Sequence, residues 1–532
     1  MRNAAALLLL LTACATSQIS DSARLKQIAS DYWQHQLDES VALQIKFGLP
    51  TKHLPDVSYA HAQKEAEYAR SLLQRLDAIH ADRLTEDERV TLRLLRWQNQ
   101  MEIDGLPYFW YQFQVAPYTF QFTSVATLFR QKLSDADRAR LLAEVPRFAD
   151  QLVEVLREQQ RRGIVMPKAE IAQVKQTFTA LTPLMPELSR VVDFVSAEEP
   201  AAPTSVGVSQ YPGGDAAYRF FIRDRTTVDM TPQQIHDLGL REVARIDGEL
   251  DKIRETIGFQ GSKADFDRFL RTDSRFFVAT PDEVGERLTK YMHRIEPHLP
   301  ELFANFPRAK YDVKRLDPAL EGSITFGYYQ QPTATDAVGH YFYNGSKLSE
   351  RNPLFAPALI AHELVPGHHF QIVRQEENES LPPFRREHFD TAFIEGWGEY
   401  AAYLGNEMHL YDDPYDRCGR LMMDKMLSVR LVVDTGMNAL GWSRERAGDY
   451  LRANTLLSDT EIATETLRYA VDLPAQALAY KIGSLKMIEL RRKAEQQLGP
   501  KFDVRQFHEW IIGSGSMPLP ILEQHVADAM QH

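Results

Sequence analysis

Cysteine is nearly absent from this chain, which has two among 532 residues, Cys14 and Cys418. With Cys14 at the end of a leader-like segment, no intrachain disulfide is expected, and stability has to come from a buried core. Basic residues are in deficit: 61 Lys and Arg stand against 73 Asp and Glu, a formal net charge of -12. That balance argues against nucleic acid as a partner and against a charge-driven grip on anionic lipid. Long apolar runs are missing too. No stretch of eighteen apolar residues follows the N-terminus, so no membrane-spanning helix is expected. There is no internal repeat and no low-complexity tract. What is present, 44% hydrophobic residues over this length, suffices for a large core.

The first residues suggest a compartment. Met1-Arg2-Asn3 precede an apolar run ending Leu11-Thr12-Ala13, immediately before Cys14. A charge, a short hydrophobic stretch and small residues read as a signal peptide over residues 1–13. Leucine, a small polar residue, alanine and cysteine resemble a bacterial lipobox, which implies lipidation of Cys14. Ala15 rather than aspartate after it points, in a Gram-negative bacterium, to the outer membrane. The expectation is a protein facing the periplasm that meets the membrane only through its lipid anchor.

The dominant periodicity is helical. Thr231-Pro232-Gln233-Gln234 reads as a capping box with proline at the first helical position, and Ile235, Leu238, Val243, Ile246, Leu250 and Ile253 continue an apolar face to Gly258. One helix is expected after Ser134, with Leu141, Leu142, Val145, Phe148, Leu152 and Val155 inward, and a long one from Pro474 to Gly499. Residues 197–214, rich in Pro, Ala, Ser and Gly, suggest a loop or linker. It would join an N-terminal helical region, 14–196, to a catalytic helical region, 215–532, inside one continuous domain; a cleft lip is the other reading. Two β-favouring runs, Ser323 to Tyr329 and His340 to Tyr343, predict a small sheet just before His362. Tyr341, Tyr343 and Asn344 would then face a cleft and hold a substrate backbone by strand addition. A plain structural hairpin accounts for them as well.

The most informative stretch is His362-Glu363-Leu364-Val365-Pro366-Gly367-His368-His369. Neutral imidazole is a good zinc ligand, and a glutamate beside the metal can take a proton from water. The spacing departs from H-E-x-x-H, whose histidines share one helix face. At about 100° per residue, His368 would lie roughly 120° around an unbroken helix from His362, and His369 would return to its face about 10.5 Å along the axis. Pro366 changes this, because it cannot close the turn back to His362 and its ring clashes with that carbonyl. Gly367 adds freedom. A break here would let a second histidine swing back. A proline-broken helix end with capping histidines is the competing reading.

Downstream, Phe393-Ile394-Glu395-Gly396-Trp397-Gly398-Glu399-Tyr400-Ala401 reads as a helix with two carboxylates four apart on one face. Many helical zinc hydrolases take a third ligand from a glutamate on a later helix, which Glu395 suits. Glu399, one turn on, would orient a ligand histidine. A solvated acidic stripe fits less well, since carboxylates among Phe393, Ile394, Trp397 and Tyr400 are costly to bury without a cation.

Together with Arg468-Tyr469 and Pro474-Ala475-Gln476-Ala477-Leu478-Ala479-Tyr480-Lys481-Ile482-Gly483, these motifs resemble the bacterial family called domain of unknown function 885. That family is distantly similar to the helical zinc peptidases, which include angiotensin-converting enzyme, thimet oligopeptidase and the thermostable carboxypeptidases. The resemblance implies a mainly α-helical fold with a deep cleft. It also implies zinc held by His362, a second histidine and Glu395, with Glu363 as general base. His368 is preferred, because Gly367-His368 looks like the Gly-His that ends H-E-x-G-H in those peptidases; His369 is the alternative ligand. Tyr480 is implied as the donor to a developing oxyanion, since tyrosine plays that part in the relatives. Where the family often has histidine, this chain has Asn438, which could still donate a hydrogen bond but carries no positive charge.

Arg468 could clamp a substrate carboxylate bidentately, although pairing with Glu465 would explain it structurally. The resulting expectation is a zinc peptidase cleaving short peptides. A zinc amidase or esterase on a non-peptide substrate, or a non-catalytic binding lipoprotein that keeps the fold, are the alternatives.

Overall fold

The computed structural model describes residues 20–318, 321, 326–333 and 336–531. The leader, Cys14 and Ser323 lie outside the described residues. Within them the chain is mainly helical with one three-stranded sheet, as the periodicity requires. No described helix is long and apolar enough to cross a membrane.

The Pro232–Thr256 helix starts where the capping box places it. Thr231 Oγ1 accepts from the Gln234 N–H at 3.2 Å, and the Thr231 N–H donates back to Gln234 Oε1 at 2.8 Å. Along its length packs the 26-residue Pro414–Ala439 helix, begun by Asp413 as N-cap. A Cβ on Gly239 would fall 2.8 Å from Leu431 Cβ, so glycine is what admits that approach. The Pro414–Ala439 helix joins two apolar cores. It gives Leu421, Met422 and Leu431 to one and Leu427, Val432 and Met437 to the other.

A second close crossing positions the site. The Thr391–Leu404 and Ala479–Leu498 helices meet at Gly396 and Gly483, where a Cβ on Gly396 would lie 2.6 Å from the Gly483 backbone. The glycines thereby bring the segment carrying Glu395 against the one carrying Tyr480.

One sequence expectation is corrected. The helix after Ser134 is two helices, Asp135–Leu142 and Val145–Arg161. Pro146 sits in the first turn of the second, where its missing N–H costs nothing; inside one continuous helix it would break the ladder. Residues 197–214, read as a loop or linker, connect the Ser189–Glu198 helix to the Gly214–Thr226 helix. They form short 3₁₀ turns at Glu199–Ala201 and Val208–Gln210 and bury Val206 and Val208. Asn438 Oδ1 accepts from the Val208 N–H at 3.0 Å, and a Cβ on Gly207, whose φ is +93°, would strike the Met437 carbonyl oxygen at 2.1 Å.

The sheet precedes His362, as expected. β1 (Lys310–Arg315), β2 (Gly327–Gln330) and β3 (Val338–Tyr343) lie in the order β1-β3-β2, with β1 parallel and β2 antiparallel to β3. β3 is therefore central, and β1 and β2 are the two edge strands.

Candidate metal centre and cleft

The Ala356–Glu363 helix stops at Glu363, and the next helix begins at His368 and runs to Glu376. The break between them, Leu364 to Gly367, contains a cis Val365–Pro366 peptide bond. It is tied to the Glu395 helix: Trp397 Nε1–H donates to the Pro366 carbonyl oxygen at 2.8 Å. Gly367 passes so close to the preceding turn that a Cβ there would lie 1.8 Å from the His362 carbonyl oxygen.

The consequence is that the ring of His368 returns to His362, 4.5 Å apart between centroids and nearly perpendicular. Glu395 Oε2 lies 3.6 Å from His362 Nε2 and 3.4 Å from His368 Nε2. Each of these three residues offers a ligand atom within 4.8 Å of the others. His369 points elsewhere. Its Nε2 lies 3.1 Å from the Ala309 carbonyl oxygen, its Nδ1 3.0 Å from the Tyr329 hydroxyl, and burial lowers its pKa to about 4.

Glu399 fixes His362 from behind. Its Oε1 is 3.1 Å from His362 Nδ1, and its Oε2 accepts from Arg420 at 3.0 Å. Burial works against the Glu399 carboxylate, but Arg420 and His362 together outweigh it and hold the pKa below its ordinary value. An ionised carboxylate can only accept, so Nδ1 donates to Glu399, and Nε2, which faces Glu395, is the nitrogen that would take a metal in place of its proton. His368 lacks such support, because its Nδ1 is buried without a partner.

The donor set of two imidazoles and one carboxylate suits zinc and leaves a coordination position open. Burial opposes charge on His362, yet the neighbouring Glu395 and Glu399 carboxylates raise its pKa to about 10, and they would favour a divalent cation there equally. Burial likewise opposes ionisation of Glu395, but both histidines hold its carboxyl far below the usual range. Another grouping of possible ligands, Glu39, His61 and Glu65, is more exposed, and His35 already engages Glu65 at 2.7 Å.

These residues lie in a cleft of about 530 Å³, which Glu363, Tyr480 and Arg468 also line. Burial raises the Glu363 pKa, against the pull of His362 and His368, and a hydrogen bond from the Tyr329 backbone on the sheet edge helps hold the carboxylate. The Tyr480 ring stacks 6.1 Å from His362, and its hydroxyl is 3.4 Å from Arg468 Nη2. Arg468 lies 3.6 Å from Glu465 and donates to Gln476 Oε1 at 2.8 Å, while its Nε is buried and unpartnered.

Two expectations about the cleft fail. Asn438 is outside it and wholly buried. Its amide donates to Asp434 Oδ1 and to the Tyr469 carbonyl oxygen, at 3.1 and 3.0 Å, so it is structural and does not face an oxyanion. Tyr341, Tyr343 and Asn344 do not line the cleft either; all three are buried. β3 is the central strand, and the sheet meets the cleft instead through Gly327, Tyr328 and Tyr329 of edge strand β2.

Sequence reasoning passed over Arg430, which lines the cleft and stacks 4.9 Å over the Tyr480 ring. It pairs with Glu465 at 3.0 Å and donates to the Tyr469 hydroxyl at 2.7 Å. Its signal was present: an arginine inside a helical run, Met426 to Val433, that is apolar but for Ser428.

Residues 42–187 and 177–526 match the family described as "Bacterial protein of unknown function (DUF885)". The chain belongs to that family. Two solved structures share the fold of this DUF885 protein. A candidate lipoprotein from Colwellia psychrerythraea overlays with a TM-score of 0.89 at 21% identity, over 97% of this chain and 100% of that one. A candidate lipoprotein of unknown function from Shewanella oneidensis gives 0.73 at 18%, over 95% and 99%. A third structure, BsuCP, gives only 0.43 at 13%, over 95% and 94%, too distant to bear on fold or function. No protein of curated function matches the chain.

Proposed function

We propose that this DUF885 protein is a zinc-dependent hydrolase, a peptidase acting on short peptides. The observation that carries the proposal is the convergence of His362, His368 and Glu395 at a cleft that also holds the buried Glu363. His362, His368 and Glu395 would hold the zinc, which supplies Lewis-acid polarisation of a carbonyl and makes water a better nucleophile. Glu363 takes the proton released as water attacks and passes it to the leaving amine. Tyr480 donates a hydrogen bond to the oxygen on which charge develops.

Substrate positioning follows from the same walls. β2 lies at a sheet edge beside the cleft, and its backbone groups other than the Tyr329 N–H, which holds Glu363, could pair with an extended substrate. Arg430 and Arg468 share the single Glu465 carboxylate, so one positive charge is left over for a substrate carboxylate to meet. A cleft of about 530 Å³ is of the size that takes small ligands. The leader and Cys14 support a lipid-anchored protein at the outer membrane facing the periplasm, and both structural neighbours are described as candidate lipoproteins.

The test is a Glu363→Gln variant. It should keep its metal and its peptide affinity but lose turnover by a factor of about 100 or more. Undiminished turnover would refute the assignment of Glu363.

A further inference from the structure

Seven large hydrophobic side chains are exposed among the described residues: Phe47, Leu49, Tyr118, Leu240, Phe306, Tyr328 and Phe389. Three of them, Tyr118, Tyr328 and Phe389, line the cleft of His362, Glu363 and Glu395. They reach it from unconnected parts of the chain. Tyr118 precedes the Phe120–Arg130 helix, Tyr328 belongs to edge strand β2, and Phe389 lies between the Pro383–Glu387 and Thr391–Leu404 helices. Exposed rings forgo the gain from burial, and apolar side chains gathered along a cleft mark a binding surface.

Phe389 is the most exposed of the seven, at 60%. Its backbone is nevertheless held on both sides. The His388 carbonyl oxygen accepts from Gln375 Nε2 at 2.8 Å and from Ser516 Oγ at 2.7 Å. On the other side, the Asp390 N–H donates to Ser516 Oγ at 3.3 Å, while Asp390 Oδ1 caps the next helix by accepting from the Phe393 N–H at 3.0 Å. The ring is thus presented from a fixed support, which lowers the entropy lost when a ligand packs on it. The other two rings have internal partners: Tyr328 lies 5.5 Å from Phe342, and Tyr118 lies 5.8 Å from the Arg468 guanidinium. Phe389 is left as the ring without an occupant.

We propose that Phe389, with Tyr328 and Tyr118, forms an apolar rim that selects peptides carrying a bulky apolar or aromatic side chain beside the scissile bond. This rests on the peptidase reading and adds the substrate class. The rim is continuous with the cleft, so the occupant is the substrate itself. Tyr118 stands next to Arg468, which places an apolar contact beside the cation that would meet a carboxylate. A peptide with apolar side chains and a free carboxylate complements both.

The experiment compares kcat and KM of the full chain and of Phe389→Ala on short peptides that differ in one residue beside the scissile bond: alanine, glutamate, leucine or phenylalanine. The native chain should favour leucine and phenylalanine by about tenfold or more in kcat/KM. Phe389→Ala should erase that preference through KM, with kcat moving less than about threefold. Phe389→Leu should keep part of it, and Leu240→Ala, a ring-free exposed site elsewhere, should change nothing. Peptides cleaved without side-chain preference, or a preference that survives in Phe389→Ala, would overturn the inference alone. No cleavage of any peptide would overturn the peptidase reading and this inference with it.

Discussion

Trp397 and Pro366 are joined by a hydrogen bond of 2.8 Å from the indole N–H to the proline carbonyl oxygen. It fastens the break after Glu363 to the helix that carries Glu395, one turn of the indole's own helix linking two candidate ligand segments. Trp397→Phe keeps most of the buried ring but leaves that carbonyl unpaired. It should cost about 1–3 kcal/mol in urea unfolding, and zinc affinity should fall alongside. Unchanged stability and affinity would show that the break holds its shape without this bond.

Gly398 lies against His362, and a Cβ there would come within 2.8–2.9 Å of the imidazole. Gly398→Ala should therefore displace a candidate ligand and weaken zinc binding about tenfold or more. Gly248 is also helical but has open space around its missing Cβ. Gly248→Ala should leave metal binding unchanged and, by helix propensity, stabilise the fold by about 0.5–1 kcal/mol. Isothermal titration and thermal melts of the two variants read both effects.

Arg420 is neither a lining residue of the cleft nor a candidate ligand, yet it holds the carboxylate that holds His362. Arg420→Met should lower zinc affinity about 10–100-fold, as loss of support behind a ligand does elsewhere. It also leaves Glu399 buried without its cation, so the variant should lose stability as pH rises, when the carboxyl has to ionise unpaired. Affinity equal to that of the native chain would mean that Glu399 needs no counter-charge.

Glu170 and Asp472 form a buried carboxyl pair far from these ligands in sequence, and burial holds both pKa values well above their ordinary 4.5 and 3.8. In the folded chain the pair keeps protons that the unfolded chain has released. Its contribution to stability is therefore full near pH 4 and falls as pH rises through neutrality. Asp472→Asn should raise stability at pH 8 by about 1 kcal/mol or more relative to the native chain, with little gain at pH 4. Denaturant unfolding at both values checks the sign.

The elements that the sequence showed clearly are those fixed locally. The Thr231–Gln234 capping box needs only four residues, and it is where the periodicity placed it. Glu395 and Glu399 share a face because helical spacing alone puts them there. The choice between His368 and His369 was not local. It depends on how Leu364 to Gly367 are held, and one of the bonds on that break comes from Trp397 on another helix. Strand order was equally hidden. Tyr341 and Tyr329 both sit in β-favouring runs, and only the central place of β3 decides which of them is buried and which lines the cleft. Arg430, Phe389 and Tyr118 converge from segments far apart, so no spacing rule could have grouped them.

The most direct test of the account is zinc content, measured by mass spectrometry on soluble protein that begins after Cys14. The native sequence is compared with His362→Ala, His368→Ala and His369→Ala. The account predicts about one zinc per chain, lost in His362→Ala and His368→Ala and retained in His369→Ala. No tightly bound zinc in the native protein, even after incubation with the metal, would contradict it.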